Sequence, residues 1–233
     1  MFLFPVALAC LFPVSLYCLF LAMLHQRRRP TMISGPWDFV GVLVALSGFL
    51  LVGGSTLVFT IHGLARERLI RGGSWQDFAD IQARESRLTW LIWGAFVVIL
   101  VGGAIRQIRL RRKTMALYNI DPEELEDLLK GLFERLGLPW ERHGDRWLVG
   151  VKDNLRAEFE ADGSAMMRQV TLRWLYTASP ATRAELEAEL ARDLAAYSSP
   201  ESRTAGWFLT AGGAIFTIMI FLLATFLMVM FRN

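Results

Sequence analysis

Long apolar runs alternate along this chain with segments that carry all of its charge. Four runs stand out, at 2–24, 39–61, 88–105 and 207–231, and none of them contains Asp, Glu, Lys, Arg or His. As helices rising 1.5 Å per residue, runs of roughly 18–25 residues cross a hydrocarbon core about 30 Å thick. Lipid offers no water to backbone amides, so such runs span as helices. Their length and lack of period-two alternation argue against barrel strands. The first run is not built like a signal peptide, because no cation precedes it and Arg27, Arg28 and Arg29 follow it. That order predicts a retained anchor with its N-terminus outside.

Between the third and fourth runs the periodicity changes. Asp121-Pro122-Glu123-Glu124 has the form of a helix start, with an Asp cap, Pro at the first position and acids in the first turn. Leu125, Leu128, Leu129, Leu132, Phe133 and Leu136 follow at helical spacing, and Gly137 and Pro139 close the helix. Strand-like segments come next at 146–151, 154–161 and 166–175, separated by turns at Lys152-Asp153 and Asp162-Gly163-Ser164. A further short strand over 139–142 would precede a His143-Gly144-Asp145 turn. Ser179-Pro180 opens a second helix, with Thr182 and Glu185 spaced as a capping box and Leu186, Leu190 and Leu194 on its inner face. Ser198-Ser199-Pro200 reads as a brief linker.

The fold class is therefore membrane α-helical, with four transmembrane helices and an inserted α+β domain of order α-β-β-β-α, an antiparallel meander with both helices on one face. Residues 1–113 hold three spans and a loop at 62–87, 114–200 the soluble domain, and 201–233 the fourth span. In the loop, Gly72-Gly73-Ser74 is a break. Trp75, Phe78, Ile81 and Leu88 share one helical stripe, as an interfacial helix running into the third span would require.

Composition sharpens this picture. The chain is 54% hydrophobic, with a mean hydropathy of +0.36, more apolar than a soluble domain. A net charge of +3 hides a split: 114–200 holds ten Lys and Arg against sixteen Asp and Glu. An acidic domain is repelled by phosphate backbones, so no nucleic-acid partner is expected. The cations gather instead at the span ends, where Arg27, Arg28, Arg29, Arg106, Arg109, Arg111, Arg112 and Lys113 form a basic collar suited to anionic lipid heads. With Arg203, nine cations flank one side of the spans; the other side has six, Arg66, Arg68, Arg71, Arg84, Arg87 and Arg232. The bias predicts both termini outside and the domain in the cytoplasm.

Candidate chemistry is sparse. His25, His62 and His143 are isolated, and solvated imidazoles are the expectation. Cys10 and Cys18 share one span, so ordinary packing is their reading. Glu158 and Glu160 share a strand face as paired carboxylates could, but Arg156 and Arg173 beside them favour a salt-bridge ladder. No catalytic residue, metal ligand set or cofactor site is assigned. The pairs Gly53-Gly54, Gly102-Gly103 and Gly212-Gly213 are candidate helix-packing sites. Trp140, Trp147 and Trp174 are candidates for a pocket or interface.

The stretch Gly35-Pro36-Trp37-Asp38-Phe39 leading into Leu50-Leu51-Val52-Gly53-Gly54 resembles uncharacterised multi-pass membrane proteins of planctomycete-type bacteria. That resemblance implies a bacterial inner-membrane setting and no activity. The helix–meander–helix order is similar to small bacterial chaperone-like adaptor domains in architecture alone. The expected function is a non-enzymatic membrane scaffold or accessory subunit. Its partners would be the lipid bilayer and another protein or a second copy of itself. A small-ligand sensor and a membrane-surface enzyme are the alternatives.

Overall fold

The computed structural model describes the backbone of residues 3–70, 77–151, 154–199 and 202–232, and the side chains of 6–54, 90–150, 155–199 and 202–231. The apolar runs form α1 (Leu3–Gln26), α2 (Gly35–Ile70), α3 (Asp77–Leu110) and α6 (Arg203–Arg232). All four are long and apolar enough to cross a membrane. Pro36 and Asp38 in the first turn of α2 suit a helix start, by a fixed φ and by charge against the helix dipole. The helices outrun the apolar blocks, so His25 and Asp38 lie within the stretches of α1 and α2 that are long and apolar enough to cross a membrane. α3 is already helical at Asp77. The Gly72-Gly73-Ser74 break and Trp75 lie outside the described residues, as do the side chains of Phe78, Ile81 and Leu88. α1 packs against both α6 and α2, and α2 against α3.

The α+β part is larger than the sequence pattern suggests. Six antiparallel strands form one sheet in the order β1-β2-β6-β5-β4-β3: β1 (Thr31–Ser34), β2 (Thr114–Tyr118), β3 (Trp140–His143), β4 (Arg146–Val151), β5 (Asn154–Ser164) and β6 (Gln169–Thr177). The three-strand meander is thus corrected to a sheet of six, and the domain is not confined to 114–200. β1 comes from the short segment between α1 and α2 and pairs along β2, Thr31 opposite Tyr118 and Ser34 opposite Met115. β2 follows α3 after a single 3-10 turn, Arg111–Lys113. Both strands are too short, and too close to apolar helices, to show a period of their own. Only their pairing reveals them, β1 along β2 and β2 along β6 with Met115 opposite Leu172 and Leu117 opposite Val170.

The turn read at Asp162-Gly163-Ser164 is also corrected. β5 continues through Ser164, with Gly163 opposite Val170 and Ser164 opposite Gln169, and the chain reverses over 165–168. Gly163 is required for close approach rather than for a turn. A Cβ there would lie 2.8 Å from the Val170 side chain and 3.0 Å from that of Pro122. Lys152-Asp153 lies outside the described residues; the flanking Val151 and Asn154 pair directly.

α4 (Pro122–Arg135) and α5 (Pro180–Ala196) cover one face of the sheet. Leu125, Leu129, Leu132 and Phe133 from α4 meet Leu186, Leu190 and Leu194 from α5 over Val149, Phe159, Val170 and Leu172. Glu124 accepts from the Asp121 backbone N–H at the start of α4. At the start of α5 the cap is Ser179, whose hydroxyl accepts from Thr182 N–H, so the Thr182–Glu185 box is not the device used. Arg135 clamps the two helices together through both oxygens of Asp193, at 2.6 and 2.9 Å.

Candidate functional site

Strand alternation gives β2 two buried faces. Met115 and Leu117 join the core under α4 and α5, while Ala116 and Tyr118 turn the other way onto Leu21, Leu24, Tyr17 and Phe208. That second contact seats the sheet on the ends of α1 and α6, and a polar network runs through it. Tyr118 donates to Asp38, and Arg111 reaches the other Asp38 oxygen at 3.3 Å. Burial first, then the Asp38 carboxylate, push the Tyr118 phenol well above its ordinary range, so it remains a donor.

His25 belongs to this junction. It is 3% exposed, which corrects the expectation of a solvated ring at a span end. Its Nδ1 lies 2.9 Å from the Leu21 carbonyl oxygen and its Nε2 2.9 Å from that of Met167. The β5–β6 turn is held from three further directions. Thr204 of α6 donates to Met166 O at 3.1 Å, and Ile120 N–H to Arg168 O at 3.1 Å. The Arg168 side chain reaches Asp121 at 2.6 Å, Glu124 at 3.0 Å and the Ser199 hydroxyl at 2.9 Å. Ser199 also donates to Asn119 O at 2.8 Å and is buried, so the segment entering α6 is fastened, not a loose linker. Burial pushes the Asp121 carboxyl up against the pull of Arg168.

Of the tryptophans assigned to a pocket or interface, Trp147 and Trp174 are in the core and Trp140 packs half-buried against it. Trp147 and Trp174 are 2% and 5% exposed. Trp147 stacks on Phe159 with ring centres 6.2 Å apart and the planes 4° from parallel, and Trp140 lies 5.4 Å from Trp147. Glu158 and Glu160 sit in an ion-pair ladder on the opposite face of the sheet. Arg146 is 3.1 Å from Glu160 and 4.0 Å from Glu158, and Arg173 is 3.7 Å from Glu160. Arg156 is exposed, without an ion pair to either acid. His143 is exposed, and the side chain of His62 lies outside the described residues. Among the described residues no group of three His, Cys, Asp or Glu could hold a metal ion.

Of the glycine pairs, Gly54 lies against Phe96 of α3 and Gly212 against Cys18 and Leu19 of α1. A Cβ added at Gly53, Gly102, Gly103 or Gly213 would meet nothing within 4 Å among the described residues. Among the described residues, α1 and α2 approach closely at a glycine the sequence pattern does not mark: a Cβ on Gly48 would run into Ala9 O and lie 2.6 Å from Cys10 Cα.

The basic collar divides. Arg111 joins the junction and also lies over the Phe39 ring at 5.0 Å. Arg106 and Arg109 border a shallow groove at Gly102. Arg112 and Lys113 are exposed, and the carbonyl of Arg112 accepts from Arg183 at 3.2 Å. Arg27, Arg28 and Arg29 line an open cleft of about 510 Å³, bordered also by Pro30, by Thr31 and Met32 of β1 and by Ala191, Leu194 and Ala195 of α5.

Compared with protein-family models, with curated proteins and with solved structures, the chain gives no match in any of the three.

Proposed function

We propose that this chain is a four-span bacterial inner-membrane protein, a non-enzymatic scaffold or accessory subunit whose cytoplasmic α+β domain docks a partner protein. One observation carries the reading: the sheet face opposite α4 and α5 is open over β4, β5 and β6, where Arg146, Glu158, Glu160 and Arg173 form the charged ladder beside the exposed Tyr176. α4 and α5 occupy one face, and the helix ends occupy the β1–β2 part of the other. An open sheet face with mixed charge and an aromatic is a surface for a polar partner, where charge complementarity sets specificity. The sensor alternative needs a concave space at the tryptophans, and these are packed into the core. The enzyme alternative needs carboxylates available for proton transfer, and Glu158 and Glu160 are both paired with Arg146.

The test is mass spectrometry of proteins cross-linked to the full chain in membranes, with Arg146→Glu/Arg173→Glu as the comparison. A stoichiometric partner present with the parent protein and lost with the reversed ladder is the expected result. A partner retained at the same yield by the variant would place docking elsewhere and remove this reading of the face.

A further inference from the structure

The cleft beside Arg27, Arg28 and Arg29 has features beyond a general attraction to a membrane surface. All three arginines line it, although consecutive residues in an extended segment alternate direction. They can share one cleft because the backbone is bent here and held. Asn119 donates to Arg27 O at 2.6 Å, and Ser199 N–H donates to Arg28 O at 2.8 Å. Pro30, the next residue, is buried. Part of the ordering that binding would otherwise require is thus already done by the fold. None of the described residues lining the cleft carries a carboxylate, and the α5 wall is Ala191, Leu194 and Ala195. Arginines lining one cleft with an apolar wall and no carboxylate have the chemistry of a phosphate site, since the guanidinium fork matches phosphate oxygens in pairs.

We propose that this cleft binds a phosphate-bearing anion, with Arg27 and Arg29 as its ligands. Its volume of about 510 Å³ exceeds that of a bare phosphate and has room for a glycerophosphate group, whose carbon end would lie against Ala191 and Ala195. Two sources supply that chemistry, an anionic lipid headgroup and a soluble phosphate ester. Arg27 follows directly on the last residue of α1, the level of the headgroups if α1 spans. The lipid source therefore rests on the membrane reading above; the phosphate chemistry does not.

The experiment uses the full purified chain and two variants. Arg27→Gln/Arg29→Gln removes two ligands and leaves both pinned carbonyls in place. Ala195→Glu leaves every arginine and puts a carboxylate on the exposed edge of the opposite wall. Native mass spectrometry measures retained phosphatidylglycerol against phosphatidylcholine, and thermal unfolding is followed during titration with glycerol 3-phosphate. Preferential retention of phosphatidylglycerol, reduced about fivefold for each arginine removed and also reduced in Ala195→Glu, supports the site with lipid as its source. Stabilisation by glycerol 3-phosphate that both variants lose, without a lipid preference, supports it with a soluble source. Equal behaviour of the parent and both variants in both assays overturns it. Failure of the membrane reading is seen separately, as recovery of the chain in the soluble fraction without detergent, and the glycerol 3-phosphate arm still decides the site.

Discussion

Arg168 shows how much one side chain contributes at the junction. It sits at a φ of 45° in the β5–β6 turn, a region disfavoured for a side-chain-bearing residue. Its guanidinium offsets that cost by meeting Asp121, Glu124 and Ser199 together. Replacing it with Met would leave two partly buried carboxylates facing each other. We expect Arg168→Met to lower stability by about 2–4 kcal/mol, measured as a reduced thermal midpoint of the purified chain. Glu126 makes a weaker, pH-dependent contribution. Hydrogen bonds from Lys130 and Arg142 hold its carboxyl below the ordinary glutamate value of 4.5. A depressed acid stabilises the fold above its unfolded pKa, and that stabilisation is lost as pH falls through the lower folded value. Glu126→Gln should therefore cost about 0.5–1 kcal/mol at neutral pH, the range of an exposed pair. The difference should shrink as pH falls below 4.5 and vanish once pH is below the lower folded value, in unfolding curves across that range; a constant difference would contradict the ion-pair explanation.

At the scale of elements, the pattern of the chain revealed the long and strongly periodic pieces and missed the short ones. α4 and α5 were legible because Leu125, Leu129 and Leu132, and Leu186, Leu190 and Leu194, repeat with the helical period. β6 was legible because Val170, Leu172 and Trp174 alternate with polar residues. β1 and β2 were not, because β2 is buried on both faces and so shows no alternation, and β1 is only four residues long. Their pairing is directly testable. Antiparallel partners have Cα atoms about 4.5–5.5 Å apart, within disulfide range, and Ile33 faces Ala116. In a Cys10→Ser/Cys18→Ser background, Ile33→Cys/Ala116→Cys should form an intramolecular disulfide under mild oxidation, seen as a reducible shift in gel mobility. Failure of the pair to cross-link, with the protein folded, would remove β1 from the sheet.

For the molecule as a whole, the chief consequence is mechanical. β1 links α1 to α2, β2 continues from α3, and the segment before α6 is tied to Arg28 and Asn119. The C-terminal ends of α1 and α3 and the N-terminal ends of α2 and α6 therefore all meet the sheet. A domain so fastened moves with the helices rather than on a tether. If the four helices span, both termini lie on the side opposite the sheet, and the arginine bias puts the sheet in the cytoplasm. Reporter fusions at Asn233 and at residue 114 are the check: alkaline phosphatase should be active at Asn233 and inactive at residue 114. The reverse pattern would put the domain and the arginine cleft outside.

By itself the sequence determined the four apolar helices, the two amphipathic helices and the inner-facing residues of the longer strands. Each of these is decided locally, the long helices by an unbroken apolar run and the others by the period that burial of one face imposes on the chain. Only the tertiary structure decided the six-stranded sheet, the burial of His25, the place of the tryptophans and the crossing at Gly48. The same is true of the cleft where Arg27, Arg28 and Arg29 meet α5. These depend on contacts between residues far apart in the chain, such as Arg28 with Ser199 or His25 with Met167. Such contacts leave no period in either segment, so nothing local announces them.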